Sequence, residues 1–338
     1  MPMQRGVNLA NRKIWLLKLV LPIYCGRWLT GILLLSLLLP FFYLGVLEEP
    51  EHSTPALFFA LIIAYIIPVF SYITARSQEA LIELRPILDL DDQAFQKALV
   101  LLDSASPRQT WQFLCAGALA GFVHMSFVRG SVEGVLNDLL TSVSGFMSTL
   151  GALLVWVIMT TVISMLIQQS VLFGRLGAHN TRVSLLNTRT LLPFARVSIS
   201  SSLAIIGALA LFPLIGIESG QNMVESLPGA IATLVPMVIM FVIPVWPVHR
   251  CLAAKKEQEL AAINSQIETC LNGEGTVALE SAKLEQLTPL LNYRREISQV
   301  SSWPFDMGNM TRFAIYLIIP PLTWAGAAMI ENLVDSLV

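Results

Sequence analysis

Charged residues are scarce in this chain of 338 residues. Asp, Glu, Lys and Arg together make up 13% of it, whereas a typical soluble domain carries about 25%. Hydrophobic residues make up 55%, and they fall into several uncharged runs of roughly 20 residues, enough for a helix to cross a hydrocarbon core. The composition therefore disfavours a water-soluble fold. It predicts an all-α, polytopic membrane protein with about seven transmembrane helices.

Cysteine is also scarce, and motifs of known chemistry are missing. The four cysteines have neither CxxC nor metal-ligand spacing, so we expect small apolar roles rather than disulfides or metal sites. The chain contains no Walker A, GxGxxG, HExxH, EF-hand or GxSxG motif. We therefore expect no cofactor and no enzymatic activity. Its basic residues are no more numerous than membrane topology requires, so we also expect no nucleic-acid partner.

Ionisable groups are nearly missing from the apolar runs. Proton- and sodium-coupled transporters usually bury such groups near the bilayer midplane, so their scarcity disfavours this class, although sites built from backbone carbonyls stay open. His124 is an exception, and a single His is more often simply hydrogen-bonded than a ligand or a pH switch. Gln168 and Gln169 end the fourth run. We expect them to hydrogen-bond a neighbouring helix rather than face a wet cavity.

The alternation of apolar and polar stretches divides the chain into six parts. These are an N-terminal interfacial helix (1–27), spans one and two (28–75), cytoplasmic amphipathic helices (76–110), spans three to six (111–248), a cytoplasmic antiparallel helical hairpin (249–305), and span seven with an outer C-terminus (306–338). With the N-terminus inside, every Lys and Arg except Arg129 lies on the inner side, as the positive-inside rule requires. Span three, about 112–128, is the shortest and also fits a re-entrant segment.

Amphipathic segments flank the spans. From Lys13 to Arg27 the apolar residues recur at helical spacing, which predicts a short helix lying in the membrane interface. Its functional interpretation is a lipid-sensing element, and the simpler one is a lead-in to span one. Asp91 and Asp92 predict a helix start within the segment 76–110. We expect this segment to pack beneath the membrane against the hairpin.

The polar stretch after span six predicts two antiparallel helices. Apolar residues spaced three and four apart mark the seam between them. They are Leu260, Ile263 and Ile267 on the first helix and Leu284, Leu287 and Leu291 on the second. The stretch 272–275 (NGEG) predicts the turn. Thr288 before Pro289 predicts that a separate helical piece begins there, with Thr288 as its N-cap.

Four arginines are candidates for contacts with anionic lipid. Arg175, Arg182, Arg189 and Arg196 are each seven residues apart. On one continuous helix this spacing would place them along a single face that suits lipid phosphates. Gly177 and Pro193 argue against one continuous helix, so ordinary positive charge on the inner side is the alternative.

Two further groups of residues are candidates for a role. Glutamates in the outer loops would concentrate cations at the membrane surface. They are Glu48, Glu49, Glu51, Glu218 and Glu225. Gly117 and Gly121 in span three lie four residues apart, and small residues at this spacing allow close packing of helices in lipid. We interpret these glycines as packing positions rather than a site.

Three stretches of the sequence occur in a familiar combination. They are residues 84–92 (LRPILDLDD), residues 182–186 (RVSLL) with 193–196 (PFAR), and residues 303–306 (WPFD) with Arg312. In these stretches the chain resembles a group of uncharacterised prokaryotic multi-pass membrane proteins that have no assigned activity. The resemblance covers most of the chain. It implies a location in the bacterial inner (cell) membrane and implies no function.

Three functions stay open at this point. Proline-containing spans with almost no charge and the acidic outer loops favour a homo-oligomeric channel for small ions. The polar hairpin favours a membrane sensor or scaffold that docks a cytoplasmic protein. A lipid or small-solute transporter comes third, because the sequence reveals no midplane site. In every case membrane lipids are partners, and we expect a homo-oligomer.

Overall fold

The computed structural model describes residues 13–47, 53–181, 184–215, 223–272 and 281–303, together with positions 311, 315 and 318. All regular elements in these residues are helices, apart from two isolated β-bridges. The prediction of an all-α protein is therefore confirmed. The α-helices of the described residues are α1 (Trp15–Lys18), α2 (Gly26–Val46), α3 (Ser53–Leu84), α4 (Asp92–Asp103), α5 (Pro107–Val128), α6 (Val132–Thr141), α7 (Val143–His179), α8 (Leu192–Leu209), α9 (Met223–Asn272) and α10 (Ser281–Gln299).

Six helical stretches of the described residues are long and apolar enough to cross a membrane. They are Gly26–Val46, Ser53–Ile87, Pro107–Val128, Val143–His179, Leu185–Leu209 and Leu234–Leu271. This confirms a multi-pass membrane protein in its general form. The predicted seventh span, about 312–331, lies outside the described residues except at positions 315 and 318, so the count of seven stays a prediction.

The third span is longer than its sequence pattern indicates. Helix α5 has 22 residues and begins at Pro107, five residues before the predicted start. Ser106 caps it: its hydroxyl accepts from the Gln109 backbone N–H, and the Gln109 side chain accepts from the Ser106 backbone N–H. Proline suits the first helical position because its missing N–H would have no partner there. Because Ser106 and Pro107 start the helix five residues earlier, α5 is long enough to cross the membrane.

The core of the bundle is an apolar cluster shared by helices α2, α3, α7, α8 and α9. Large side chains fill it, among them Phe42, Phe70 and Met165, each at most 1% exposed. Ile205 of α8 and Met240 of α9 complete the same cluster. Close packing of these helices buries the faces that point at one another, while the outer faces stay apolar for contact with lipid.

A second apolar cluster holds together the segments that are polar in sequence. It contains Leu84 from α3, Phe95 from α4, Phe173 from α7, Phe194 from α8 and Leu252 from α9, with other residues of the same elements. The rings of Phe173 and Phe194 meet edge to face with centroids 6.0 Å apart. The predicted cytoplasmic segments 76–110 and 249–305 thus meet the end of α7 and the start of α8 at one end of the bundle, which we call the polar end.

Helix α9 carries the chain from the sixth span into the polar end without a break. Helix α10 runs back along it: the Lys256 Nζ donates to the carbonyls of Ser298 (2.7 Å) and Val300 (2.8 Å). Farther along α9, the Arg294 Nε donates to the Asn264 Oδ1 at 2.7 Å. These pairs run in opposite directions along the two helices, so α9 and α10 are antiparallel. We call the part of α9 after residue 250, together with α10, the arm.

The prediction of a separate helical piece at Pro289 is wrong. Helix α10 is continuous from Ser281 to Gln299 with Pro289 inside it. A proline removes its own backbone N–H, so it frees only the carbonyl four residues earlier, that of Glu285. Glu285 is exposed, and water can satisfy that carbonyl.

The N-terminal segment is less helical than its periodicity indicates. Between Lys13 and Gly26, only the single turn α1 is helical. Pro22 explains the early end, because the residue before a proline is disfavoured in the helical conformation. Ile14 and Leu16 are fully buried, and the Ile14 N–H donates to the Asp103 carbonyl at 3.1 Å. The segment is therefore fixed to the end of α4 at its start.

Candidate functional site: a lateral cavity beside helices α2 and α3

A cavity of about 1020 Å³ lies between the N-terminal segment and helices α2 and α3. Its volume is at the upper end of the range of about 300–1,000 Å³ that small-molecule sites occupy. The residues of the N-terminal segment that line it run from Lys13 to Cys25. Asp103, at the end of α4, closes the cavity at the polar end of the bundle.

The lining of the cavity changes from polar to apolar along its length. On α3 the lining residues toward the polar end are Ser71, Tyr72, Thr74, Ala75 and Gln78, and those toward the membrane centre are Leu61, Ala64, Tyr65, Pro68 and Val69. From Leu61 to Gln78 the helix advances about 26 Å at 1.5 Å per residue. The cavity therefore extends from the membrane surface deep into the hydrocarbon layer.

Helix α2 repeats this gradient in the opposite chain direction. Arg27 and Trp28 line the polar part of the cavity, and Gly31, Ile32 and Leu35 line the apolar part. Because α2 and α3 are consecutive spans and therefore antiparallel, their two polar ends coincide. Both helices thus present polar side chains at one end of the cavity and apolar side chains at the other.

The polar end of the cavity contains two cations and one carboxylate among its lining residues. They are Lys13, Arg27 and Asp103. Burial raises the pKa of the Asp103 carboxyl, while the positive charge of Lys13 and a hydrogen bond with Gln78 act in the opposite direction without cancelling the rise. Lys13 thus acts on Asp103 through its charge, although the two form no ion pair within the described residues. Arg27 has no ion pair within the described residues.

Arg27 is held near the cavity by an aromatic contact. Its guanidinium carbon lies 5.9 Å from the centre of the Tyr72 ring, and that of Arg76 lies 5.4 Å from the same ring. The Arg76 Nε also donates to the Tyr72 hydroxyl at 3.1 Å. A cation within about 6 Å of an aromatic ring is attracted by its quadrupole, and the contact leaves the guanidinium N–H groups free to donate.

The cavity has a side opening. Trp28 and Ile32 line it, yet they are 82% and 64% exposed. Tyr24, on the N-terminal segment, is fully exposed. Exposed aromatic and aliphatic side chains at the end of a span are typical of contact with the lipid interface. A molecule of the membrane can therefore enter from the side, between the N-terminal segment and α2.

A buried hydrogen-bond network supports the polar end of the cavity. Gln169 of α7 is 1% exposed. Its Nε2 donates to the Thr74 hydroxyl at 3.2 Å and to the Leu102 carbonyl at 2.7 Å. Its Oε1 accepts from the Ser77 hydroxyl at 3.1 Å. The expectation that Gln169 bonds a neighbouring helix is confirmed, and the network joins α3, α4 and α7 next to Asp103.

The three described arginines of the predicted set do not lie on one continuous helix. Arg175 is exposed near the end of α7, Arg189 is exposed on the 3₁₀ segment Leu185–Leu191, and Arg196 lies on α8. Arg182 lies outside the described residues. The Arg196 Nη1 donates to both carboxylate oxygens of Glu83, at 2.8 and 3.1 Å. The chain leaves the α7 helix at Asn180, which separates Arg175 from the other two.

The two glycines of α5 lie at its contact with α7. A Cβ on Gly117 would come within 2.6 Å of the Val157 Cα, and one on Gly121 within 3.1 Å of the Leu153 side chain. His124, on the same helix, lies with its ring centroid 5.4 Å from that of Trp156. These residues bring the two helices close together and lie apart from the cavity.

The residues of the predicted seam differ in their placement. Ile263 is buried, and Leu260 and Ile267 pack against the same cluster. Leu287 is buried, whereas Leu291 is 49% exposed, and the side chain of Leu284 lies outside the described residues. The glutamates predicted to attract cations also lie outside the described residues. These are Glu48, Glu49, Glu51 and Glu218, together with the side chain of Glu225.

No family model matches this chain, and neither a curated protein nor a solved structure matches it. In the part of the chain that the structure describes, no three His, Cys, Asp or Glu residues come together as a metal site. The functional proposal below is therefore based on the cavity. Sequence reasoning missed it, although Arg27-Trp28 and Tyr72 near the ends of two successive spans were a usable signal.

Proposed function

We propose that this multi-pass membrane protein takes up an amphipathic molecule of the bilayer through its side cavity, in the role of a lipid or small-solute transporter. The observation that carries the proposal is the coincidence of the polarity gradients on α2 and α3. A membrane lipid has the same order of groups, with a headgroup at the surface and a chain in the hydrocarbon. The positive-inside rule supports a cytoplasmic location for the polar end, and the resemblance described for the sequence supports a bacterial inner membrane.

The test compares a substitution that fills the cavity with one on the outer surface. Ala75 lines the cavity, whereas Ala118 is exposed on α5 and lies outside it. Full-length wild type, Ala75→Trp and Ala118→Trp are purified in detergent, and retained lipid is measured by mass spectrometry. We expect the wild type and Ala118→Trp to retain about one lipid per chain, and Ala75→Trp to lose it.

Two controls make the result decisive. Ser71 also lines the cavity, so Ser71→Trp should lose lipid even if Ala75→Trp folds poorly, and size-exclusion profiles report the fold of each variant. Equal lipid retention by the wild type and a well-folded filling variant would contradict the proposal. Transport itself is then measured as movement of a fluorescent lipid between leaflets of proteoliposomes.

A sensor or scaffold is the second candidate, and the arm favours it. From Arg250 to Asn272, helix α9 continues about 34 Å beyond the sixth span. Exposed charged residues, among them Lys255, Glu257 and Arg295, face away from its buried contacts. Deleting residues 252–302 should then abolish co-purification of a soluble partner while the chain still inserts. Unchanged co-purification would count against this role.

A homo-oligomeric ion channel has less support. Large side chains such as Phe70 and Phe173 fill the bundle of described helices, so the conduit would have to lie between copies of the chain. The acidic outer loops that motivated this hypothesis lie outside the described residues. Absence of ion flux through the reconstituted protein under every gating condition would contradict the channel hypothesis.

A further inference from the structure

The charges at the polar end of the cavity indicate which lipid it takes. Lys13 and Asp103 carry opposite formal charges that cancel in the sum, and Arg27 contributes a second positive charge with no carboxylate partner in the described residues. The lining therefore has a net charge of +1 from these three residues. The Arg27 side chain is exposed, so its charge is accessible to an anionic group that enters the cavity.

We propose that the cavity selects a lipid with an anionic phosphate headgroup, bound by the Arg27 guanidinium, with an acyl chain lying along Ile32, Leu35 and Leu61. This rests on the lipid-binding role proposed above and adds the class of headgroup. A guanidinium presents its N–H donors in a planar fork that matches two phosphate oxygens. Tyr72 holds that fork at the cavity through its ring.

The position of Arg27 suits this role. It follows Gly26 at the start of α2, about one to two turns from the apolar lining residues Gly31, Ile32 and Leu35. A headgroup bound at Arg27 therefore places its glycerol and chain beside Trp28 and Ile32, where the cavity is open to the bilayer. The aromatic ring of Trp28 suits the boundary between headgroup and chain.

The proposal predicts that substitutions of Asp103 and of Arg27 have opposite effects on lipid binding. Among the described residues that line the cavity Asp103 is the only acidic one, and burial raises the pKa of its carboxyl. Replacing it by Asn keeps the shape and the backbone carbonyl that accepts from Ile14, and it removes the negative charge from the lining of the cavity. Asp103→Asn should therefore strengthen binding of an anionic headgroup, whereas Arg27→Gln should weaken it.

The experiment measures lipid preference directly. Purified, delipidated full-length protein is titrated with phosphatidylglycerol and with phosphatidylcholine of the same chains, and binding is followed by native mass spectrometry. We expect the wild type to prefer phosphatidylglycerol. Arg27→Gln should reduce that preference about five-fold, the change expected from one basic residue at an anionic lipid surface, and Asp103→Asn should increase it.

The control removes a charge at the same end of the bundle but outside the cavity. Arg108 is exposed near the start of α5 and does not line the cavity, so Arg108→Gln should leave the preference unchanged. Equal binding of the two lipids by the wild type, or equal effects of Arg27→Gln and Arg108→Gln, would overturn the anionic selectivity and leave lipid uptake standing. No binding of either lipid would overturn uptake as well.

A competition experiment distinguishes a lipid headgroup from a soluble phosphate. sn-Glycerol 3-phosphate carries the same anionic group without acyl chains, so it should not displace phosphatidylglycerol at equal concentration. Displacement at that concentration would show a site for a free anion and would overturn the assignment to lipid.

Discussion

Removing the side chain of Gln169 should loosen the polar end of the bundle. In Gln169→Leu the shape is nearly kept, but the Thr74 hydroxyl, the Ser77 hydroxyl and the Leu102 carbonyl all lose their partner. The two hydroxyls can turn to the carbonyl four residues earlier in their own helix. The Leu102 carbonyl lies in the last turn of α4 and has no such alternative.

The expected loss follows from these contacts. A buried group left without a partner costs about 1–3 kcal/mol, and each lost hydrogen bond between membrane helices costs about 0.6 kcal/mol on average. We therefore expect Gln169→Leu to lower the free energy of unfolding by about 2–4 kcal/mol. The measurement is reversible unfolding in mixed micelles with increasing SDS.

Gln168 provides a matched control on the same turn of α7. It is only partly buried and forms no side-chain hydrogen bond within the described residues, so Gln168→Leu should change stability by less than about 0.5 kcal/mol. A loss below 0.5 kcal/mol for Gln169→Leu, or equal losses for the two variants, would refute the reasoning. Because the Asp103 carbonyl next to this network also accepts from Ile14, Gln169→Leu should in addition reduce retained lipid.

Three further predictions concern packing, an ion pair and pH. Gly117→Ala should destabilise by about 1–3 kcal/mol because a methyl group meets the α7 backbone, and Gly121→Ala should cost less because its nearest contacts are longer. SDS unfolding checks both, and a larger loss for Gly121→Ala would contradict the order. Arg196→Gln should change stability by at most about 1 kcal/mol, because Arg196 and Glu83 are 43% and 48% exposed. A larger loss in the same assay would contradict this. The raised pKa of Asp103 means that the folded state binds its proton more tightly, so stability should fall as pH rises from the ordinary value of 3.8 through the raised pKa. Thermal unfolding of the wild type against Asp103→Asn checks this, and an unchanged pH profile in the variant would contradict it.

Much of the local structure could be read from short stretches of sequence. Asp91 caps α4 by accepting from the Ala94 N–H, as the paired aspartates predict. Arg129, the one basic residue on the predicted outer side, pairs with Asp138 at 2.8 Å, which offsets its charge there. These features depend on residues a few positions apart, so hydropathy, caps and charge are sufficient to find them.

The cavity could not be found in this way. It depends on Lys13 and Asp103, which are far apart in the sequence, and on the non-helical segment around Pro22, which lines the cavity beside α2 and α3. The partners of Gln169 likewise come from α3 and α4. The sequence pattern indicates that such a side chain needs a partner and does not identify it.

The sequence by itself determined that this is a multi-pass membrane protein and which of its described helices are apolar enough to cross the bilayer. Hydrocarbon imposes these properties on each segment separately, because every buried backbone group needs a partner within its own helix. Only the tertiary structure decided that α2, α3 and the N-terminal segment pack loosely enough to leave a cavity with polar and apolar ends. Such a space arises from the packing of distant segments, and no single segment encodes it.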